Sequence, residues 1–340
     1  MKILLVTDAW APQVNGVVRT LVSTIDELRR LGHQIDVISP EGRPSIPCPT
    51  YPEIPLSLFS GRYVAERIRA SGADVVHIAT EGPLGLAARR HCLQQGIGFT
   101  TAYHTAFPEY VAARTGFGTD AIYRFMRWFH APAAGVMVAT DSLQRQLAAR
   151  GFTKMRPWSR GVDANLFKPS DKSFLAGPRP IHLYAGRVVV DKNIEAFLKL
   201  DLPGSKYVVG GGPQLAKLRR KYPDARYTGY ASDAELAACY AAADVFVFPS
   251  RTDTFGLVLL EALAAGIPVA AYPVTGPLEV IGDFGVGCLD EDLGRAITGA
   301  LKMDPAACRA HALRYTWADA TQQFLSHLQP QGAAGAAAAG

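Results

Sequence analysis

Missing from this 340-residue chain are a C-x-x-C pair, a run of about eighteen apolar residues and a G-x-G-x-x-G glycine fingerprint. Each absence closes off a class of protein. The five cysteines, Cys48, Cys92, Cys239, Cys288 and Cys308, are odd in number and scattered, so neither a disulfide framework nor a zinc site is indicated and a reducing cytosol fits. Without a long apolar run the chain is not expected to span a membrane. MKILLVTDAW is too short an apolar opening, and lacks the cleavage site, for a signal peptide. Without the glycine fingerprint after the first strand, a dinucleotide-dependent oxidoreductase loses its main support.

What is present points to two domains, because the length exceeds that at which one core usually stops growing while 49% hydrophobic and 19% charged residues are ordinary globular proportions. The charge is uneven. The whole net excess of +5 lies between Met1 and Asp163, and the remainder is neutral. Such a bias suits an anionic phospholipid surface, and it equally suits plain solubilising charge. Neither a nucleic acid nor an obligate protein partner is expected.

Strand-like runs alternate with helical runs: KILLVT, GVVRTLVSTIDELRRLG, QIDVIS, DVVHIA, GLAARRHCLQQG, GFTTAYH, GVMVAT and DSLQRQLAARG. After a loop-rich stretch the alternation starts again with IHLYAG, NIEAFLKL, KYVVGG, QLAKLRRKY, ADVFVF, LVLLEALAAG and IPVAAY. The fold class is therefore α/β, with two doubly wound Rossmann-like domains spanning 1–168 and 178–310 and facing across a cleft. A helix within 311–329 is expected to pack near the domain junction, and 330–340 is a low-complexity tail.

In such sheets ligands bind beyond the carboxyl ends of the strands, and the unusual residues fall there. Gly16 closes the loop after the first strand. Glu81 follows DVVHIAT, and His104 follows GFTTAY in YHTAFPEY. In the second half, YAGRVVVDKN sets Gly186 and Arg187 directly after a strand with Lys192 beyond, two cations suited to a diphosphate. The segment FPSRTDTFGLVLLEALAAGIPVAAY (248–272) runs from a strand end into a helix, with Asp253 before that helix and Glu261 two turns into it. The helix start favours an anion, and the carboxylates can bracket a ligand with phosphates in its middle and hydroxyls at both ends. A nucleotide sugar has that layout. A surface aspartate and a solvent-facing helix glutamate is the alternative.

The D-x7-E spacing followed by ALAAGIPVAAY resembles the E-x7-E signature of retaining glycosyltransferases of family 4, which have the GT-B fold; Asp253 stands where that family usually carries Glu. Three more stretches resemble the family: YHTAFPEY its HT-x-FP-x-Y, GRVVVDKN its GR-x3-K-N with one residue added, and VVGGGP its G-x-GP. The resemblance implies an N-terminal acceptor domain and a C-terminal nucleotide-sugar domain. It implies donor contacts from Gly16, Gly186, Arg187, Lys192, Asp253 with Thr254, Phe255 and Gly256 beside it, and Glu261 on the ribose. Glu81 and His104 would lie on the acceptor side, with His104, Asp253, Arg187 and Lys192 in catalytic roles.

No acidic cluster of the D-x-D kind is read as a divalent-metal site, so no cofactor or metal is expected and the cations are to hold the leaving charge. For the acceptor, PLSLFSGRYVAERIR (55–69) and FPEYVAARTGFGTDAIYRFMRWFH (107–130) mix apolar and arginine residues as interfacial stretches do, although such faces can also be core. With the basic bias, the expectation is a lipid acceptor such as diacylglycerol at the cytoplasmic face of the membrane. The donor is expected to be UDP-glucose or UDP-glucuronate, with GDP-mannose as the alternative. A nucleotide-sugar epimerase or a non-catalytic binding protein are the rivals.

Overall fold

Unbroken Val, Ile and Leu runs bury a strand on both faces, and parallel pairing between helical layers is the arrangement that allows it. The computed structural model describes every residue except 49–50, 106, 110, 112–117 and 331–340. The low-complexity tail, apart from residue 330, and parts of the aromatic segment, including Tyr110, therefore lie outside the described residues. The chain divides into two units, one formed by Met1–Ser159 with the segment beginning at Trp317, the other by Arg160–Thr316.

The first unit contains β1 (Lys2–Val6), α1 (Gly16–Arg30), β2 (Gln34–Ile38), β3 (Ser45–Cys48), β4 (Tyr51–Ser57), α2 (Ser60–Ser71), β5 (Val75–Ile78), α3 (Pro83–Gln95), β6 (Thr100–Tyr103), α4 (Asp120–His130), β7 (Val136–Val138), α5 (Asp141–Ala149) and β8 (Met155–Pro157). Its six-stranded parallel sheet has the order β2-β1-β5-β6-β7-β8, while β3 and β4 form a separate antiparallel hairpin. Alternate residues of β1 serve opposite faces: Leu4 and Val6 join the core under α2 to α5, Ile3 and Leu5 the core under α1. Asn15 starts α1 by accepting from the N–H groups of Val17 and Val18, both at 3.0 Å.

The second unit contains β9 (Ile181–Ala185), α6 (Ile194–Leu198), β10 (Ser205–Val209), α7 (Leu215–Lys221), β11 (Arg226–Gly229), α8 (Asp233–Ala242), β12 (Val245–Phe248), α9 (Leu257–Ala264), β13 (Val269–Ala271), α10 (Thr275–Val280), β14 (Gly287–Leu289), α11 (Leu293–Ala300) and α12 (Pro305–Ala312). Its parallel sheet runs β11-β10-β9-β12-β13-β14. Strand order reverses between β9 and β12 here, and between β1 and β5 in the first unit, and such switch points are where open α/β sheets receive ligands.

The last helix, α13 (Trp317–His327), belongs to the first unit. Phe324 is fully buried against Trp158 and His77, each 4.9 Å away between ring centroids, and Gln323 accepts from the Ser159 N–H at 2.8 Å. Burial pushes the His77 imidazole down to about 3, so it packs as a neutral ring. The stretch read as one interfacial segment, 55–69, instead splits between β4 and α2. Its Val64 and Ile68 are core, while Phe59 is 86% exposed.

Candidate active site

In the first unit, the expected residues follow three neighbouring strands. Gly16 opens α1 after β1, Glu81 follows β5 and His104 follows β6. His104 is buried, its ring edge-on to Trp158 at 5.3 Å. Glu81 does not stand alone: its Oε1 lies 3.1 Å from Nε2 of His130, a buried ring at the end of α4 whose Nδ1 is 2.8 Å from Thr101 Oγ1. Sequence reading missed His130, since only the fold brings the end of α4 to the end of β5. It also missed Asp8, two residues past β1. The Asp8 carboxylate accepts from the N–H groups of Leu84 (2.9 Å) and Gly85 (3.3 Å) at the start of α3 and from Thr80 Oγ1 (2.9 Å), bracing the turn that carries Glu81. Burial outweighs those bonds and pushes the Asp8 carboxyl up to about 6.

In the second unit, the expected residues gather on the two loops that flank the switch point. Gly186 directly follows β9 with φ 146°, and a Cβ on Gly210, which directly follows β10, would stand 2.0 Å from its carbonyl oxygen, so glycine at 210 is what lets the loop after β10 close against the loop after β9. The carbonyl of Arg187 accepts from Tyr184 Oη at 2.7 Å, which ties the half-buried arginine to its own strand. Lys192 ends a single 3-10 turn over Val190–Lys192, after which Asn193, at φ 51°, turns the chain into α6. Asn193 then donates to the carbonyl of Pro249 at 3.1 Å, pinning this loop to the end of β12.

Lys192 Nζ sits 2.6 Å from Asp253 Oδ2, and both side chains are only 15% exposed. The carboxylate of Asp253 therefore reaches Lys192 on the neighbouring loop. Beyond it Thr254 and Phe255 are buried, and Gly256, at φ 85°, serves as the N-cap of α9 with no side-chain bond to the first N–H groups. Glu261 is the fifth residue of α9, nearer its start than the two turns read from sequence, and is 3% exposed with its Oε2 accepting from Tyr240 Oη at 3.1 Å. Gly276, Pro277 and Glu279 lie inside α10.

The chain does contain one D-x-D triplet, Asp290–Asp292, which the sequence reading passed over. Its charges are engaged locally: Arg295 donates to both oxygens of Asp290 at 2.8 and 3.1 Å, and Asp292 caps α11 through the N–H groups of Gly294 and Arg295. Among the described residues, no three His, Cys, Asp or Glu side chains gather as a metal's ligand set.

Two cations, two carboxylates and an uncapped helix start at one switch point can receive a diphosphate with hydroxyl groups on either side. The description Glycosyltransferase Family 4 matches residues 14–166, and Glycosyl transferases group 1 matches residues 168–307. The chain belongs to glycosyltransferase family 4. Its relatives include a GDP-mannose-dependent alpha-mannosyltransferase of Mycolicibacterium smegmatis, 29% identical over 97% of this chain and 97% of that one. An alpha-monoglucosyldiacylglycerol synthase of Acholeplasma laidlawii is 28% identical over 79% of each chain. Among solved structures, sucrose-phosphate synthase of Thermosynechococcus elongatus has a TM-score of 0.74 at 20% identity, covering 96% of this glycosyltransferase and 97% of that chain. That likeness establishes the fold, GT-B with two parallel-sheet Rossmann-like domains.

Proposed function

We propose that this glycosyltransferase moves a hexosyl unit from a nucleotide-diphosphate sugar to a membrane lipid, with retention at the anomeric carbon and no divalent metal. Carrying the reading is the Lys192–Asp253 pair, which joins the loops after β9 and β12 at the switch point, with Arg187 on the first of these loops and Glu261 in the helix that follows the second. In this reading the cations hold the diphosphate as its charge rises on leaving, Asp253 and the backbone of Thr254 to Gly256 meet the sugar hydroxyls, and Glu261 meets the ribose. Glu81 and His104 serve the acceptor side, and Gly16, at the neighbouring strand end, contacts the donor.

For the donor, GDP-mannose stands ahead of UDP-glucose or UDP-glucuronate, because the mannosyltransferase relative spans nearly the whole chain. The diacylglycerol-glucosylating relative keeps UDP-glucose and diacylglycerol as the second reading. A lipid acceptor at the inner face of the membrane is supported by the exposed Phe59, just before α2, and Trp128 on α4, the latter 51% exposed, beside helices that present Arg62, Arg67, Arg124 and Arg127. No helix among the described residues is long and apolar enough to cross a membrane, so attachment would be peripheral.

The test is incubation with radiolabelled GDP- and UDP-sugars and vesicles containing diacylglycerol or phosphatidylinositol. Label entering the organic phase from GDP-mannose is expected, and from UDP-glucose on the second reading. Label that stays wholly aqueous, as altered free sugar or unreacted donor, would overturn the lipid-acceptor assignment.

A further inference from the structure

Tyr240 has no solvent exposure, and its place is set by packing that owes nothing to its hydroxyl. Its ring stands edge-on to Phe167 at 5.7 Å and tilted against Phe246 at 5.5 Å. The helix that carries it, α8, starts from a reciprocal cap in which Ser232 Oγ accepts from the Glu235 N–H and the Glu235 carboxylate accepts from the Ser232 N–H. A phenylalanine would fill the same space. The hydroxyl is thus an addition to a finished apolar packing site, and it donates to Oε2 of Glu261 at 3.1 Å.

Glu261 has three rotatable side-chain bonds, and the residue is only 3% exposed. A buried, charge-assisted hydrogen bond from a rigidly packed donor removes that freedom before any ligand arrives. We propose that Tyr240 is a positioning residue for the donor: its hydroxyl holds the Glu261 carboxylate in the rotamer that receives the ribose hydroxyls. The inference rests on the assignment of Glu261 to the ribose, and it deepens that assignment by naming what makes the carboxylate selective for a ribonucleotide. Tyr240 touches neither the sugar nor the phosphates in this scheme. Its loss therefore weakens recognition of ribose hydroxyls and leaves diphosphate binding alone.

The experiment titrates the full chain, as wild type and as Tyr240→Phe, with GDP and UDP and with their 2′,3′-dideoxy counterparts, by calorimetry. Wild type is expected to bind the nucleotide of its donor at least tenfold more tightly than the dideoxy form. Tyr240→Phe is expected to lose about tenfold for the ribonucleotide, none for the dideoxy form, and to melt within a few degrees of wild type. Equal losses for both forms, or no loss for either, would overturn the positioning role. So would a Tyr240→Phe chain that no longer melts cooperatively, because the hydroxyl would then serve the fold. A wild type indifferent to the ribose hydroxyls, or one binding neither nucleotide, would instead remove Glu261 from the ribose and the reading of the site with it.

Discussion

At the switch point of the second unit, side chains of opposite charge hold each other across two loops, Lys192 to Asp253 at 2.6 Å, while a tyrosine holds Glu261. At the first unit's strand ends the polar groups are tied inward instead: Asp8 into the start of α3, and Glu81 to His130 and on to Thr101. Under the proposed function the contrast follows from what each half would bind. A diphosphate has one charge pattern whatever sugar it carries, so the half proposed to hold it needs fixed charges at fixed spacing. An acceptor hydroxyl on a lipid or a saccharide has no such pattern, and the half proposed to receive it presents a shape braced from behind.

The sharpest way to break that contrast is to remove charge from each half in turn. Glu261→Ala and Arg187→Ala should each lower kcat/KM by on the order of a hundredfold or more, as removal of a transition-state charge contact does. Arg62→Ala and Arg124→Ala, on exposed faces of the first unit, should leave turnover of a detergent-dispersed acceptor within twofold. Steady-state rates on chains with matched melting curves decide it, and wild-type-like rates for the Glu261 or Arg187 variant would dissolve the donor half as described.

Asp8 tests the inward-tied half through pH. Its folded pKa, about 6, lies above the ordinary aspartate value of 3.8, so its contribution to stability is full below about pH 4 and is lost as pH rises through 6. The span amounts to about 2 to 3 kcal/mol, the cost of keeping a buried carboxyl ionised at neutral pH. Asp8→Asn does not titrate. Its stability relative to wild type, from urea unfolding, should therefore improve between pH 4 and pH 7 by about that amount. An unchanged difference would mean that Asp8 is as well solvated folded as unfolded.

Most strands of both sheets were legible in the sequence because runs such as ILLV and VFVF are continuous and apolar, which few other structures can use, whereas β8, β11 and β14 carry no such run. The switch-point residues Arg187, Lys192, Asp253 and Glu261 stood out because each sits a short distance beyond such a run. His130, Asp8 and Tyr240 were not, because their roles come from contacts with residues 21 to 77 positions away, a separation that no local pattern encodes. The same limit explains α13: the period of WADATQQFLSHL marks a helix, but nothing in it says that Phe324 packs against Trp158 in the first unit.

The Lys192–Asp253 pair sharpens the comparison on the donor side. Substituting Lys192→Met and Asp253→Asn singly and together forms a cycle, and because both groups are largely buried the coupling in stability should be on the order of 1 to 2 kcal/mol. A Glu81→Gln and His130→Asn cycle should couple as well, through the hydrogen bond at 3.1 Å, but more weakly than the ion pair. Unfolding curves of the single and double variants supply the numbers. A Lys192–Asp253 cycle that couples no more strongly than the Glu81–His130 cycle would erase the distinction between the halves.

The smallest effect expected belongs to the proposed membrane face. Arginines near an anionic surface gain attraction that falls off within a Debye length, so sedimentation with vesicles containing phosphatidylglycerol should weaken steadily from low to high salt. Arg62 is exposed, and Arg62→Ser should reduce vesicle binding about fivefold at low salt and hardly at all at high salt. Phe59→Ser should reduce binding at both salt concentrations, since an inserted ring contributes through apolar area that salt does not screen. Binding of wild type that is the same at low and high salt would remove the electrostatic part of this face. Phe59→Ser behaving as wild type throughout would leave its 86% exposed ring without a part in membrane attachment.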